Sequence, residues 1–256
     1  MKKYLLLSAV FLLSVSCNQQ LEQAKKEGSR PDDEPPKVIF ILTSHSELGN
    51  TGEQTGFYLS EASHPWKVLT TNGIEVEFST INGGMPPVDG FNLDDAVNKE
   101  FWEDPAIQEA LKNAKKPSEL DASSYDAVHF VGGHGTMWDF PENKDIARLA
   151  GKVYDQGGFV TAVCHGPSGL LNIRLADGSY LLDGKTVTAF TNGEEEAVGL
   201  TDVVPFLLED ALKQRGAEFV AANNWSDHVQ VSDRLITGQN PQSATSLGER
   251  LLEVLK

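Results

Sequence analysis

Short apolar runs alternate along this chain with longer amphipathic or polar segments. Residues 38–42 (VIFIL), 125–131 (YDAVHFV) and 159–163 (FVTAV) have little or no polar face. This pattern is typical of parallel strands that are buried on both sides. The segments between them favour helices. The alternation therefore predicts a doubly wound α/β fold of the flavodoxin-like kind, with a mostly parallel sheet and helices on both faces.

The same pattern predicts the other elements. Further strands are expected at residues 74–79, 185–190 and 218–221, a hairpin or strand pair at 228–237, and helices at 52–72, 105–115, 143–156, 201–215 and 241–256. Proline removes a helix hydrogen bond, so His64-Pro65 should interrupt the first helix. Residues 80–104 are rich in Gly, Pro and Asn, and this long connection predicts a lid or an embellishment near a site.

The first residues have the pattern of an export signal. Residues 1–17 combine two lysines, an apolar run too short to span a bilayer, and small residues before Cys17. This ending resembles the lipobox of bacterial lipoproteins, in which the cysteine is lipidated, although Ser14 stands where leucine is usual. Cleavage nearby by ordinary signal peptidase is the alternative. Residues 18–37 are polar and proline-bearing and predict a tether, so the folded domain should comprise residues 38–256.

Composition narrows the possible partners. The hydrophobic content of 40% is sufficient for a core, and the net charge of −16 argues against nucleic acid or an anionic membrane surface as a partner. Membrane contact is expected only through a lipid anchor on Cys17. The second of the two cysteines is Cys164, so a structural disulfide is not expected.

Cys164 lies between the strand at 159–163 and Gly166-Pro167, which suit a tight turn and a helix start. A thiol at such a corner points out of the carboxyl edge of the sheet. The positive end of the following helix is expected to favour its thiolate, the form that attacks carbonyl carbon. The alternative is an inert core cysteine.

Two other strand ends should meet Cys164 in one crevice, because open α/β sheets bind ligands at the carboxyl ends of their strands. These ends precede Thr43 and Gly132. The run Gly132-Gly133-His134-Gly135 lets backbone N–H groups approach a ligand, which suits an oxyanion hole, although a simple turn would use the same residues.

Three motifs, AVCHGP at 162–167, GGHG at 132–135 and EASHP at 61–65, together resemble the ThiJ/PfpI superfamily. The similarity extends over residues 38–256. It is greatest to the branch of stress proteins described as glutathione-independent glyoxalases (D-lactate dehydratases) with chaperone and deglycase activity. The resemblance implies a class I glutamine-amidotransferase-like fold, a small aldehyde such as methylglyoxal as substrate, a homodimer, and no cofactor.

The resemblance also implies the roles of particular residues. Cys164 would be the nucleophile, His165 its neighbouring imidazole, and Glu61 a carboxyl group that exchanges protons with substrate. The backbone N–H groups of Gly133 and His165 would form the oxyanion hole.

The resemblance also implies that an acidic residue just after the strand following Cys164 orients the ring of His165. Three glutamates are consecutive in that segment. Glu195 is preferred from its flanks, Glu194 and Glu196 remain alternatives, and a solvated acidic loop is also possible.

Some relatives carry a metal on two histidines and a carboxylate, and Glu61, His64 and His134 could form such a set here. Their spacing does not distinguish a metal site from a helix face. No metal is predicted.

Other activities remain open. A glutamine amidotransferase would need a glutamate two residues after a late histidine, but Val229-Gln230 follows His228. A cysteine peptidase or amidase, and a holdase chaperone that acts without catalysis, are the alternatives to aldehyde chemistry. An exported lipoprotein would face the periplasm or the exterior, whereas relatives in this branch are mostly intracellular, so the substrate could differ from methylglyoxal.

Overall fold

The computed structural model describes residues 34–256, of which Pro35–Lys256 form one compact unit. The predicted signal, the lipobox with Cys17, and all but the last four residues of the predicted tether lie outside these residues. The first strand begins at Lys37, one residue earlier than expected.

Ten strands form within the described residues, and six of them make the central sheet. They are β1 (Lys37–Leu42), β2 (Phe57–Tyr58), β3 (Glu75–Thr80), β4 (Val88–Asp89), β5 (Ala127–Phe130), β6 (Phe159–Val163), β7 (Thr186–Val187), β8 (Glu218–Phe219), β9 (Val229–Ser232) and β10 (Leu235–Gly238). The sheet order is β3-β1-β5-β6-β10-β9, and only the edge pair β9 and β10 is antiparallel. The predicted mostly parallel sheet is confirmed.

Helices cover both faces of this sheet. They are α1 (Leu59–Thr71), α2 (Ala96–Glu103), α3 (Pro105–Lys112), α4 (Thr136–Asp139), α5 (Lys144–Asp155), α6 (Asn192–Ala197), α7 (Leu208–Gln214) and α8 (Ala244–Leu255). Short 3-10 helices form at Pro117–Glu119, Ala122–Ser124, Gly166–Leu170 and Pro241–Ser243. Among residues 34–256, no helix combines the length and the apolar character needed to cross a bilayer.

Strand β1 shows why the sheet has two cores. Val38, Phe40 and Leu42 are buried in the cluster beneath α1, α2, α3 and α8, whereas Ile39 and Ile41 are buried in the opposite cluster with α5 and α7. Successive side chains of a strand point to opposite faces, so an unbroken apolar run fills both cores.

Several predicted elements differ from those observed. The connection at 80–104 contains β4, which pairs with β2, and helix α2, whose N-cap Asp95 accepts from two backbone N–H groups. The helix predicted at 201–215 begins only at Leu208. Strand β7 pairs with β8 in a separate two-stranded sheet rather than joining the central one.

The predicted interruption at Pro65 is wrong, because α1 continues through this residue and starts only at Leu59. Pro65 has no N–H to donate to the carbonyl of Glu61. That carbonyl instead accepts from Nε2 of the buried His129 at 3.3 Å, and Nδ1 of His129 lies 2.8 Å from the Thr161 hydroxyl. The sheet thus supplies the donor that proline removes, so the helix tolerates it.

We expect His129 to make stability depend on pH. Burial lowers the pKa of His129 to about 4, against an ordinary value near 6.5. The unfolded chain therefore binds a proton that the folded chain does not between these values, so stability falls as pH falls below 6.5. The free energy of unfolding in urea should drop by about 2 to 3 kcal/mol from this residue between pH 7.5 and 4.5.

The variant His129→Gln, compared with the unaltered chain at both pH values, isolates this contribution. It should be less stable at pH 7.5 but should lose less on acidification. An equal loss in both proteins would contradict the assignment.

Candidate active site

Cys164 occupies the turn directly after β6. Its N–H donates to the carbonyl of Gly238 at 3.0 Å, and its own carbonyl accepts from the N–H of Phe190 at 2.9 Å. These bonds hold Cys164 at φ 58°, a left-handed conformation that residues with a side chain rarely adopt. The residue is only 3% exposed. A strained, anchored turn therefore fixes where the sulfur lies.

The sulfur of Cys164 has a base within reach. Sγ lies 3.3 Å from Nδ1 of His165. Burial lowers the pKa of His165 to about 4, so the resting imidazole is neutral and Nδ1 can accept the thiol proton. The pair has the arrangement of a nucleophile with its activating base.

The expectation that the following helix favours the thiolate is wrong. Gly166–Leu170 is a 3-10 helix of five residues rather than an α-helix. Burial and the neighbouring Glu61 raise the pKa of Cys164 well above its ordinary value. The N–H of His165 lowers this pKa, but by less than burial and Glu61 raise it. The resting group is a thiol, which His165 must deprotonate during reaction.

Glu61 lies in the first turn of α1 and is completely buried. The N–H of Tyr58 donates to the carbonyl of Gly132 at 3.0 Å and so anchors the start of α1 to the end of β5. A Cβ on Gly132 would lie 2.3 Å from Oε2 of Glu61 and 3.0 Å from Cβ of Cys164. Glycine is required there because the carboxyl group and the cysteine both pack against the backbone.

Burial favours the protonated form of the Glu61 carboxyl group. Neither oxygen has a hydrogen-bond partner of normal geometry among residues 34–256. Burial raises the pKa of Glu61 well above its ordinary value, and the nearby thiol of Cys164 lowers it by less. The sulfur therefore has a base on one side and a carboxylic acid on the other.

Glu195 is the glutamate that contacts His165. Its Oε2 accepts from Nε2 of His165 at 2.8 Å, and its Oε1 accepts from Nε2 of His134 at 3.0 Å. Burial raises the pKa of Glu195, but the two imidazole donors outweigh this effect and bring the pKa to about 2. The carboxylate is therefore ionised and fixes both rings.

The two alternatives to Glu195 have other positions. Glu194 forms a capping box with Thr191 at the start of α6, and its Oε1 accepts from Nδ2 of Asn240 at 2.8 Å. It is a buried structural group. Glu196 is exposed.

The predicted oxyanion donors, Gly133 and His165, follow the ends of β5 and β6. Gly133 has φ 103°, and a Cβ there would lie 2.3 Å from the carbonyl oxygen of Gly56, so only glycine fits. Its N–H donates to no acceptor within the described part of the chain. The N–H of His165 follows Cys164 directly and stabilises its thiolate. Their role as an oxyanion hole stays a prediction.

The bond between His134 and Glu195 was not predicted from the sequence, in which His134 was a candidate only as a metal ligand. The signal was present, because the Gly-Gly-His-Gly run places an imidazole at the end of the strand next to β6. Phe190 was also missed as a site residue. Its ring centroid lies 4.5 Å from that of His165 and covers the buried imidazole.

The metal set considered from the sequence does not assemble. His64 is bonded to Asp95 and Thr245, away from the carboxyl group of Glu61. In the described part of the chain, one group of donors fits a metal ion: His134, His165 and Glu195, whose ligand atoms lie within 4.8 Å of one another. The two His–Glu hydrogen bonds already account for this grouping.

A buried thiol, an imidazole base and a carboxyl group at the carboxyl edge of a parallel sheet define a cysteine-nucleophile protein of the doubly wound α/β class. The sequence pattern of the DJ-1/PfpI family matches residues 54–254. The chain belongs to the DJ-1/PfpI family, as its motifs predicted.

Two related proteins align with this chain over nearly their whole length. "Glyoxalase 3" of Candida albicans is 35% identical over 228 residues, which cover 84% of this chain and 97% of the relative. "Glutathione-independent glyoxalase HSP31" of Saccharomyces cerevisiae is 33% identical over 240 residues, covering 87% and 99%.

Two solved structures also align with this chain over nearly their whole length. Glyoxalase III of Candida albicans aligns with a TM-score of 0.80 at 33% identity, covering 86% of this chain and 98% of that one. Rapid Encystment Protein 24 KDa of Francisella tularensis aligns with a TM-score of 0.83 at 38% identity, covering 86% and 99%.

We expect Glu195→Gln to slow the alkylation of Cys164 by iodoacetamide at pH 7 about 10- to 100-fold, the value of one charge-assisted hydrogen bond. When His165 takes the thiol proton it becomes a cation, which a neutral amide stabilises less than a carboxylate does. Mass spectrometry of the peptide containing Cys164 gives the rate. Glu196→Gln, an exposed neighbour, is the matched control and should react at the normal rate; equal rates in both variants would contradict the role of Glu195.

Proposed function

We propose that this protein is a glutathione-independent glyoxalase that converts methylglyoxal to lactate through a covalent bond to Cys164. The observation that carries the proposal is the position of Sγ, 3.3 Å from the imidazole base of His165 and beside the protonated carboxyl group of Glu61. The names of the relatives, glyoxalase 3 and glutathione-independent glyoxalase, support the same chemistry.

The first step is addition of the thiol to the aldehyde. His165 accepts the proton of Cys164 at Nδ1, and Sγ forms a bond to the aldehyde carbon. The carbonyl oxygen gains negative charge next to the N–H of Gly133. Glu61 donates its proton to this oxygen, which gives a neutral hemithioacetal and leaves Glu61 as a carboxylate.

The second step is an isomerisation on the bound substrate. The Glu61 carboxylate removes the proton from the former aldehyde carbon, which gives an enediol, and then returns it to the neighbouring carbon. The protonated His165 gives its proton to the ketone oxygen as the enediol forms, and Glu61 regains its own proton from the other hydroxyl group. The hemithioacetal and the lactoyl thioester therefore have the same atoms, and both residues return to their starting protonation states. The isomerisation therefore needs no electron acceptor.

The third step is hydrolysis. Water attacks the thioester carbon and the C–S bond breaks. Lactate is released, and the thiol of Cys164 is regenerated. The whole sequence adds one water to one methylglyoxal. Burial helps the earlier steps, because a dry site strengthens each hydrogen bond to the developing charge.

We expect Cys164→Ala to abolish lactate formation from methylglyoxal, followed by NMR, while circular dichroism and the urea midpoint remain close to those of the unaltered chain. Glu61→Gln should lower kcat by about 10²- to 10⁴-fold because the amide cannot carry the proton. Its thiol should still react with iodoacetamide. Turnover retained without Cys164 would refute the proposal, and incubation of the same variants with casein separates a peptidase from a glyoxalase.

We also propose that the protein is exported and anchored by a lipid on Cys17. The support is the sequence pattern of residues 1–17 and the polar segment that follows. The predicted homodimer stays a prediction.

A palmitate label supplied to bacteria that express the full chain should appear in the protein and should be lost in Cys17→Ser. The labelled protein should sediment with membranes. Cys164→Ser is the control, since it removes a cysteine without touching the proposed anchor. Incorporation that persists in Cys17→Ser would overturn the anchor.

A further inference from the structure

The carboxylate of Glu195 holds two histidines rather than one. One oxygen accepts from His165, whose other ring nitrogen contacts the sulfur, and the second accepts from His134 at 3.0 Å. The proposed mechanism uses only the first of these two pairs. The second is a complete imidazole–carboxylate pair at the same site without an assigned function.

The free nitrogen of His134 is available as a base. Because Nε2 donates to the ionised Glu195, a neutral His134 has an unprotonated Nδ1 with a lone pair. No partner for Nδ1 exists among the described residues. The ring of His134 is also the more accessible one, with 15% of its side chain exposed against 0% for His165 and 4% for Glu195.

His134 lies close to the reacting atoms. Its ring centroid is 4.0 Å from that of His165, which is in contact with Sγ. It also follows Gly133 directly, the residue whose N–H is the predicted oxyanion donor. A water molecule between His134 and an acyl group on Cys164 would therefore be near both the thioester carbon and a base.

We propose that His134 is the general base that activates water for hydrolysis of an acyl group carried by Cys164. For the lactoyl group this inference rests on the proposed function. The chemistry does not depend on how the acyl group formed, so the protein should also hydrolyse small activated esters. His165 and Glu61 thus form the thioester, and His134 with Glu195 removes it.

The step balances without another reactant. Nδ1 of His134 takes a proton from water while the oxygen bonds to the thioester carbon, giving a tetrahedral intermediate. The C–S bond then breaks and releases the carboxylic acid. The proton on His134 passes to the departing thiolate, which restores the thiol and the neutral imidazole.

The test uses His134→Gln in the full chain, because the glutamine amide keeps an N–H donor for Glu195 and removes the base. With methylglyoxal, Cys164 should accumulate an adduct of one methylglyoxal mass that hydroxylamine releases, and kcat should fall by about 10²- to 10⁴-fold. Hydroxylamine should restore turnover because it attacks the thioester without a base. His134→Asn is a second variant in case the first is unstable.

His64→Gln is the matched control. His64 is also half-buried and bonded to a carboxylate, Asp95, at 3.1 Å, but it lies outside the site. This variant should turn over normally. In His134→Gln, the rate of Cys164 alkylation should also remain normal. If His134 instead served only to position Glu195 and His165, its replacement would change that rate.

A second substrate separates this inference from the proposed function. With p-nitrophenyl acetate, His134→Gln should release a normal burst of nitrophenol. Its later steady rate should be at least about 10²-fold slower than that of the unaltered chain. If methylglyoxal is not consumed but this pattern holds, the glyoxalase proposal fails and the role of His134 stands. Unchanged deacylation in His134→Gln, a parallel loss of alkylation, or failure of both compounds to acylate Cys164 would overturn the inference.

Discussion

The burial of an uncharged carboxyl group against an uncharged thiol is the constraint on which the rest of this structure depends. Glu61 is completely buried, and neither of its oxygens has a hydrogen-bond partner of normal geometry among the described residues, so burial raises its pKa and favours the protonated form. The same burial keeps Cys164 protonated. The sulfur therefore cannot act until an adjacent base removes its proton, and the acid beside it is ready to supply one to substrate.

The negative charge that stabilises this proton transfer lies on Glu195, which contacts the imidazole of His165 rather than the sulfur. Glu195 is the ionised group of the site, and it holds the rings of His134 and His165 with one oxygen each. A cation formed on either ring would be stabilised by the same carboxylate. The site thus separates proton donation, which Glu61 performs close to the sulfur, from charge stabilisation, which Glu195 performs behind the imidazoles.

The sequence predicted the parallel sheet because strands buried on both sides have no polar face, and it predicted the turn at Cys164 because glycines and a proline surround it. It could not predict where helix α1 starts or that it passes through Pro65, since the replacement donor His129 lies 68 residues after Glu61, whose carbonyl it contacts. The protonation of Cys164 was mispredicted for a related reason. A helix dipole can be anticipated from neighbouring residues, but burial depends on elements that are distant in sequence. The choice among the three glutamates likewise needed the geometry of α6.

The bond between His129 and the Glu61 carbonyl has a consequence for how this part of the molecule can be exchanged. Pro65, on the helix, removes a backbone donor, and His129, on the sheet, replaces it at the carbonyl of Glu61, the residue that carries the acidic side chain of the site. A chimera that imports the helix from another protein without its matching histidine would carry a vacant backbone acceptor in the core. Grafts should therefore move both residues as one unit.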